Sequence, residues 1–139
     1  MAFITKPDLG GTIQIEIRDL IARFSDAIIA EKCAVAEAEI ETWLCAKYDI
    51  RPELEKATRN QLLVQTAVDI AIYHLYVLAG TAIPNLRVKR YDDAIKRLEW
   101  LAKGTIVLPG VAPAPTEGEN APLVGNVLWG SNPKRNNYF

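Results

Sequence analysis

The chain has 139 residues, of which 50% are hydrophobic and 24% are charged, with a net charge of -1 at neutral pH. These values are typical of one soluble globular domain, and the near-zero charge argues against a dedicated nucleic-acid-binding protein. The sequence has no charged and apolar leader and no continuous apolar run of about 18 residues, so it indicates neither secretion nor a membrane span. A reducing cytoplasm is the expected place of synthesis.

A short helix is predicted to begin at Thr5, which is followed by a proline in the first turn and an acid at the third helical position. Gly10 and Gly11 are expected to end it. The apolar residues between Ile13 and Phe24 recur at helical spacing, although the isoleucines at alternate positions from 13 to 17 also suit a strand. We favour a helix for this segment.

A long amphipathic helix is predicted after Ser25, which can act as its N-cap. The apolar seam of this helix advances by four and three residues in turn, along Ile29, Cys33, Ala36, Ile40 and Trp43. A narrow stripe of this kind is typical of a helix that packs against neighbouring helices. We expect the helix to end near residues 47–49, because the position before Pro52 disfavours helical geometry.

A capping box from Thr58 to Gln61 predicts the start of the next helix. This helix is apolar nearly all round and ends at Gly80, so we expect it to be central, enclosed by other helices or by a neighbouring subunit.

The last predicted helix covers residues 85–103 and ends at Gly104, which is placed to adopt the left-handed conformation that closes a helix. Its predicted seam consists of Val88, Tyr91, Ile95, Leu98 and Ala102. The elements together predict an all-α fold, a small bundle of about four principal helices.

The composition changes after the last predicted helix. Five prolines and four glycines between residues 105 and 139 exclude a long helix and discourage a central strand. Apolar residues are still frequent there, and we expect them to lie on a surface, because exposing apolar area to water is unfavourable by about 25 cal/mol per Å². We therefore divide the chain into a helical domain of residues 1–108 and an extended, non-helical C-terminal arm of residues 109–139.

No arrangement of residues indicates catalysis. The single histidine, His74, lies in the most apolar predicted helix, where a satisfied core or interface histidine is the common case. Asp92 and Asp93 lie in the first turns of a helix, where acids compensate the helix dipole. Neither a nucleophile triad nor a phosphate-binding glycine loop is present. We expect the protein not to be an enzyme and to bind no cofactor.

The two cysteines, Cys33 and Cys45, stand twelve positions apart in one predicted helix. This places them roughly 18 Å apart, whereas a disulfide needs its Cα atoms within about 7 Å. Two distant cysteines and one histidine do not supply clustered zinc ligands either. We therefore expect no disulfide between them and no metal site.

Four stretches, taken in order, resemble one protein family. They are residues 5–9, residues 38–48, residues 68–76 and residues 90–104, the last of which reads RYDDAIKRLEWLAKG. Their order and this final stretch resemble the Mu-like head–tail connector, or adaptor, family of tailed bacteriophages and prophages. The likeness covers about residues 3–108, and the chain departs from the family pattern between Gly10 and Ser25 and after Leu108.

The resemblance implies a structural protein of the virion neck, between head and tail, made in the host bacterial cytoplasm. Such proteins form rings, commonly twelve-fold to match the portal. The implied partners are the portal protein, identical neighbouring subunits and a tail-side neck or stopper protein. The resemblance also implies that double-stranded DNA passes non-specifically through the bore, and that no membrane is bound.

A ring subunit needs side faces that bury against neighbours and an arm that reaches along an adjoining protein. We therefore predict that the arm docks on the portal or on a neighbouring subunit, with residues 106–108 adding a short strand to a partner's edge and the aromatic residues acting as anchors. The predicted docking residues are Ile106, Val107, Leu108, Leu123, Val127, Leu128, Trp129, Tyr138 and Phe139. Glu37 and Glu41 are predicted to line the DNA channel, where like charge would keep the duplex from sticking.

Other interpretations stay open on sequence grounds. The arm could be disordered with incidental apolar residues, and the acidic helix face could be plain solvated surface. Residues 59–79 and 85–103 also suit a small helical DNA-binding regulator, although the first of these helices is too apolar to lie across a DNA backbone. A ligand-binding or enzymatic bundle that uses Tyr73 and His74 is a third possibility.

Overall fold

A computed structural model of the protein describes residues 2–10 and 15–114. Its helices are α1 (Lys6–Gly10), α2 (Ile15–Ala22), α3 (Asp26–Leu44), α4 (Ile50–Glu55), α5 (Gln61–Ala79) and α6 (Asn85–Lys103). No strand occurs within these described ranges, so the predicted all-α class is confirmed for them. The four principal helices expected from the sequence correspond to α2, α3, α5 and α6.

Local and distant polar contacts together fix the start of α1. Asp8 accepts hydrogen bonds from the N–H and the hydroxyl of Thr5, at 2.7 and 2.9 Å. Arg59 donates to both carboxylate oxygens of Asp8 and to the carbonyl oxygen of Phe3, each at 2.9 Å. Chiefly through the hydrogen bonds from Arg59, the pKa of Asp8 is lowered to about 2. The N-terminal segment is thereby joined to the chain just before α5.

The segment for which strand and helix were both considered contains α2, so the strand alternative is wrong for Ile15–Ala22. Leu20 and Ile21 are buried, and α2 packs on α1 and α5.

Ser25 caps α3 as predicted, since its hydroxyl oxygen accepts a hydrogen bond from the N–H of Ile28 at 3.4 Å. The buried stripe of α3 consists of Ile29, Cys33, Ala36, Ile40 and Leu44. The predicted last member of that stripe, Trp43, is wrong: Trp43 is 37% exposed, and Leu44 takes its place in the core. Steps of three and of four residues both continue a helical stripe, and packing selected the step of four after Ile40.

The short helix α4 was not predicted, because Pro52 was expected to end helical structure. Pro52 instead lies in the first turn of α4. Backbone N–H groups of the first turn have no acceptor within the helix, so a proline at this position removes no helical hydrogen bond. Ile50 and Leu54 are buried, so this turn of helix closes one end of the core.

Asn60 is the N-cap of α5, so the capping box predicted at Thr58 is wrong by two residues. The side-chain oxygen of Asn60 accepts hydrogen bonds from the N–H groups of Leu62 and Leu63, at 3.0 and 3.4 Å. The predicted end of the helix at Gly80 is confirmed, with this glycine in the left-handed region at φ 67°.

The central position of α5 is confirmed by burial. Its buried positions are Leu63, Thr66, Ala67, Val68, Asp69, Ile70, Ala71, Ile72, Leu75 and Tyr76. By length and composition alone, α5 is also apolar enough to cross a membrane, although the sequence pattern had indicated no membrane span. Most of its apolar window is buried inside the bundle, as in the core helix of a soluble protein.

The predicted end of α6 at Gly104 is confirmed, with φ 82°. The predicted seam of α6 is largely wrong: the buried residues are Arg87, Ala94, Leu98 and Leu101. Only Leu98 belongs to both sets. Tyr91 and Ile95 are half-buried on the flank of α6 that faces α3, so the two sequence stripes are neighbouring faces of one helix.

The core forms where α3, α5 and α6 pack against one another. Polar contacts join α6 to α5 beside this core: Arg90 donates to Asp69 at 3.1 Å, and Arg97 donates to the hydroxyl of Thr66 at 2.9 Å. Burial raises the pKa of Asp69, and the positive charge of Arg90 acts in the opposite direction. These contacts hold α6 in register and leave its other flank beside α3.

Candidate interaction surface

Large apolar side chains remain on the surface of the bundle. Those that the structure describes as exposed, with exposed fractions of 37–71%, are Trp43, Leu62, Val77, Leu78, Leu86, Trp100 and Val107. Single exposed aliphatic residues are ordinary in soluble proteins. The two exposed tryptophans are a stronger indication of an interaction surface, because tryptophan is enriched among the residues that dominate interface energies.

An open groove of about 670 Å³ runs between α3 and α6 and contains one of these tryptophans. Its lining residues are Val35, Ala38, Glu39, Thr42, Trp43, Tyr91, Asp92, Ile95 and Lys96. The lining is mainly apolar, with two acidic groups and one basic group. This composition suits an apolar peptide segment held by a few polar contacts.

A cluster of aromatic rings backs the groove. The rings of Tyr73 and Tyr91 are stacked, with centroids 4.0 Å apart and planes 13° apart. His74 lies edge-on to both rings at 6.0 Å. Its Nε2 atom is 2.5 Å from Oε1 of Glu39. The histidine is therefore paired within an interhelical contact, as expected for a satisfied histidine.

Tyr91 belongs both to this cluster and to the wall of the groove. Burial raises the pKa of its phenol, and the nearby carboxylate of Glu39 raises it further. The phenol therefore stays protonated near neutral pH. Tyr91 and Trp43 both line the groove, where an apolar side chain of a partner could be held.

The first three predicted docking residues of the arm have different surroundings. Val107 is exposed, and Ile106 is half-buried against the core. The side chain of Leu108 is buried in the core of its own domain, and its N–H donates to the hydroxyl of Tyr48 at 3.2 Å. The other predicted docking residues, Leu123, Val127, Leu128, Trp129, Tyr138 and Phe139, lie outside the described residues.

The chain beyond Leu108 stays on the helical bundle as far as it is described. The N–H of Asp49 donates to the carbonyl of Ala112, and the N–H of Ala114 donates to the carbonyl of Lys47, each at 2.9 Å. These contacts form an isolated antiparallel bridge between Tyr48 and Pro113. The described start of the predicted arm is thus paired with its own chain.

The two predicted channel residues make contacts within the chain. Glu37 accepts a hydrogen bond from the N–H of Phe3 at 3.4 Å. Glu41 accepts from Arg51 at 2.7 and 3.1 Å, and this ion pair offsets part of its charge. The placement of these carboxylates in a DNA channel stays a prediction.

The described residues contain no group of three or more histidine, cysteine or acidic side chains that could hold a metal ion. Cys33 is buried and Cys45 is exposed, and neither is in a disulfide. Burial, reinforced by the negative charge of Asp8, raises the pKa of Cys33 to about 11, so its thiol is protonated and unreactive at neutral pH.

Sequence reasoning missed the groove because it assigned Trp43, Tyr91 and Ile95 to the buried seams of their helices. A signal was available in α3, where Leu44 follows Trp43 and either residue could complete the stripe. Of the two, tryptophan is the residue that more often remains partly exposed. The stacking of Tyr73 on Tyr91 had no comparable signal, because it depends on how two helices are rotated.

Comparison with known proteins supports a phage origin for this fold. No curated protein matches the chain. The sequence model of the family described as "Bacteriophage Mu, Gp36" matches residues 4–124, which is most of the chain and includes every residue of the groove. The chain belongs to the bacteriophage Mu Gp36 family.

Proposed function

We propose that this protein is a head–tail connector subunit that forms a ring beneath the portal, links the capsid to the tail and lets DNA pass through its bore. The observation that carries the proposal is the set of exposed apolar side chains, above all Trp43 and Trp100, on a bundle whose core is complete without them. Membership of a phage protein family supports the same role.

The two tryptophans lie on different helices and do not share one groove. Trp43 belongs to the α3–α6 groove, whereas Trp100 is not among its lining residues. A subunit in a closed ring needs two different side faces, because each copy contacts one neighbour on either side. Exposed aromatic residues at two separate places fit that requirement.

The expected chemistry of the proposed role is binding and not catalysis. In the aromatic cluster, His74 is held by Glu39 and lies beside two tyrosines, and the groove offers mainly apolar lining. Large apolar surfaces flanked by a few polar groups are typical of protein contacts. The proposed partners are the portal protein, identical neighbours and a tail-side neck protein.

Electron microscopy of the purified protein with and without the portal protein of the same phage tests this proposal. We expect ring-shaped particles that stack on one end of the portal. The variant Trp43→Glu/Trp100→Glu should remain folded and fail to form them. The matched control Lys89→Ala/Asp93→Asn changes two exposed positions of α6 and should assemble normally.

A protein that neither forms rings nor binds the portal would contradict the connector role. The DNA-binding alternative predicts a gel shift with duplex DNA at micromolar protein that weakens as salt rises. A salt-dependent shift without ring particles would replace the connector proposal with that alternative.

A further inference from the structure

We propose that the groove between α3 and α6 receives the apolar run of residues 123–129, LVGNVLW, from a neighbouring copy of this chain. The inference rests on the proposed ring, and it names the surfaces that would hold the ring together. One copy supplies the groove and the next supplies the run. Because these are different surfaces of the same chain, the contact is head-to-tail, the class of contact that forms a ring when the rotation between neighbours closes.

The described chain ends beside one end of the groove. Ala114 is hydrogen-bonded to Lys47, which lies about one helical turn beyond Trp43. Pro113 and Pro115 flank Ala114, and prolines restrict both themselves and the preceding residue to extended geometry.

Chain length argues against the same chain filling its own groove. From Lys47 to Val35, at the far end of the lining, is about 18 Å along α3 at 1.5 Å per residue. Residues 115–122, which precede the apolar run, span about 26 Å when extended. If the spacer ran extended along α3, it would therefore place the apolar run beyond the far end of its own groove, where the run is free to enter the groove of a neighbouring copy.

Charge favours the same arrangement. The polar spacer contains Glu117 and Glu119, which would be repelled by the acidic groups Glu39 and Asp92 if the spacer lay in its own groove. The run of residues 123–129 carries no charge. The basic pair that follows it, at residues 134 and 135, is opposite in sign to the acidic groups of the groove.

The chemistry of the run matches the lining. Leucine, valine and tryptophan side chains can pack against Trp43, Tyr91 and Ile95, with Trp129 as the largest anchor. A groove of about 670 Å³ is large enough for several such side chains. Burial of a side chain as large and apolar as that of Trp129 is favourable at about 25 cal/mol per Å².

Mixing two complementary variants of the full chain tests the inference. Trp43→Glu disables the groove, and Leu128→Glu/Trp129→Glu disables the apolar run. Each variant alone should be monomeric in sedimentation velocity at about 100 μM, where contacts with micromolar Kd are occupied. An equimolar mixture should form one-to-one dimers, because one intact groove meets one intact run. The matched control Lys89→Ala/Asp93→Asn changes two exposed positions of α6 outside the groove lining, and by itself it should self-associate like the wild type.

A mixture of the two complementary variants that remains monomeric would overturn the inference, and so would dimers that persist after both copies carry Trp43→Glu. If the run instead occupies its own groove, tryptophan emission of the monomeric wild type should be blue-shifted and lose that shift on Trp43→Glu, an outcome that also overturns the neighbour contact. Rings that form on the portal despite Trp43→Glu would sink this inference alone. The connector role would then still stand.

Discussion

The phenol oxygen of Tyr48 accepts a hydrogen bond from the buried N–H of Leu108, at 3.2 Å and across 60 residues of sequence. The contact joins the turn after α3 to the segment after α6. Neighbouring backbone hydrogen bonds, from Asp49 to Ala112 and from Ala114 to Lys47, continue the pairing. The first residues beyond α6 are therefore part of the folded domain.

Tyr48→Phe should lower the free energy of unfolding by about 1–3 kcal/mol, because the buried N–H of Leu108 loses its acceptor. The expected fall in Tm is several degrees. Thermal unfolding followed by circular dichroism measures it. Tyr73→Phe keeps the stacked ring and serves as the control, with an expected change within about 0.5 kcal/mol. Equal stability of the Tyr48 and Tyr73 variants would contradict the assigned role of the hydroxyl.

Truncation after residue 114 should leave thermal unfolding nearly unchanged. Truncation after residue 108 removes Ala112 and Ala114, whose backbone groups pair with Asp49 and Lys47, and should lower stability by about 1–2 kcal/mol. The division into a helical domain of residues 1–108 and a separate arm of residues 109–139 implies no such loss. Two truncated chains with the same unfolding midpoint would show that the bridge at Tyr48 contributes nothing.

The Asp8–Arg59 pair should make stability depend on pH in the acid range. The pKa of Asp8 is about 2 in the folded chain, against an ordinary value of 3.8. Its contribution is fully present above about pH 5 and is lost as the pH falls toward 2, and partial exposure limits it to about 1–2 kcal/mol.

Urea unfolding of the wild type and of Asp8→Asn between pH 6 and pH 2 measures this effect. The stability difference between the two should shrink as the pH falls, because protonation removes the charge that the substitution removes. Asp26→Asn, which breaks the exposed ion pair with Lys6, is the control and should change stability little at any pH. A pH-independent deficit for Asp8→Asn would refute the electrostatic account.

Adjacent residues of α3 should respond very differently to truncation. Leu44→Ala should cost about 2–5 kcal/mol, because it leaves a cavity in the core. Trp43→Ala should cost less, about 1–2 kcal/mol in the monomer, because more than a third of its side chain is already in water and its loss leaves no closed cavity. Denaturant unfolding of dilute protein compares them. A larger loss of stability for Trp43→Ala than for Leu44→Ala would show that Trp43, and not Leu44, belongs to the core stripe.

Glu39→Gln should lower the pKa of the Tyr91 phenol while leaving it above its ordinary value of 10.0. Burial is the largest cause of the raised pKa and persists, whereas the negative charge of Glu39 is removed. Alkaline titration with NMR of labelled tyrosine resolves Tyr91, with Tyr91→Phe identifying its signal. Because the folded pKa is raised, Tyr91 also reduces stability as the pH rises above about 10. An unchanged pKa in Glu39→Gln would exclude the carboxylate as a cause.

The sequence by itself determined the helical class and several helix ends, because those depend on local chemistry. Ser25 caps α3, and Gly80 and Gly104 end α5 and α6 in the left-handed region. Such signals act within a few residues and do not need a partner helix. The apolar composition of α5 likewise predicted its central position.

Only the tertiary structure decided which apolar residues face the core and which form the groove. Trp43 and Leu44 are neighbours on a helix, about 100° apart, and both fit a stripe that allows steps of three or four. The rotation of α3 against α6 chose Leu44 for the core and left Trp43 outside. The Tyr73–Tyr91 stack and the Tyr48–Leu108 hydrogen bond also join segments far apart in sequence, so their geometry exists only once the helices have packed.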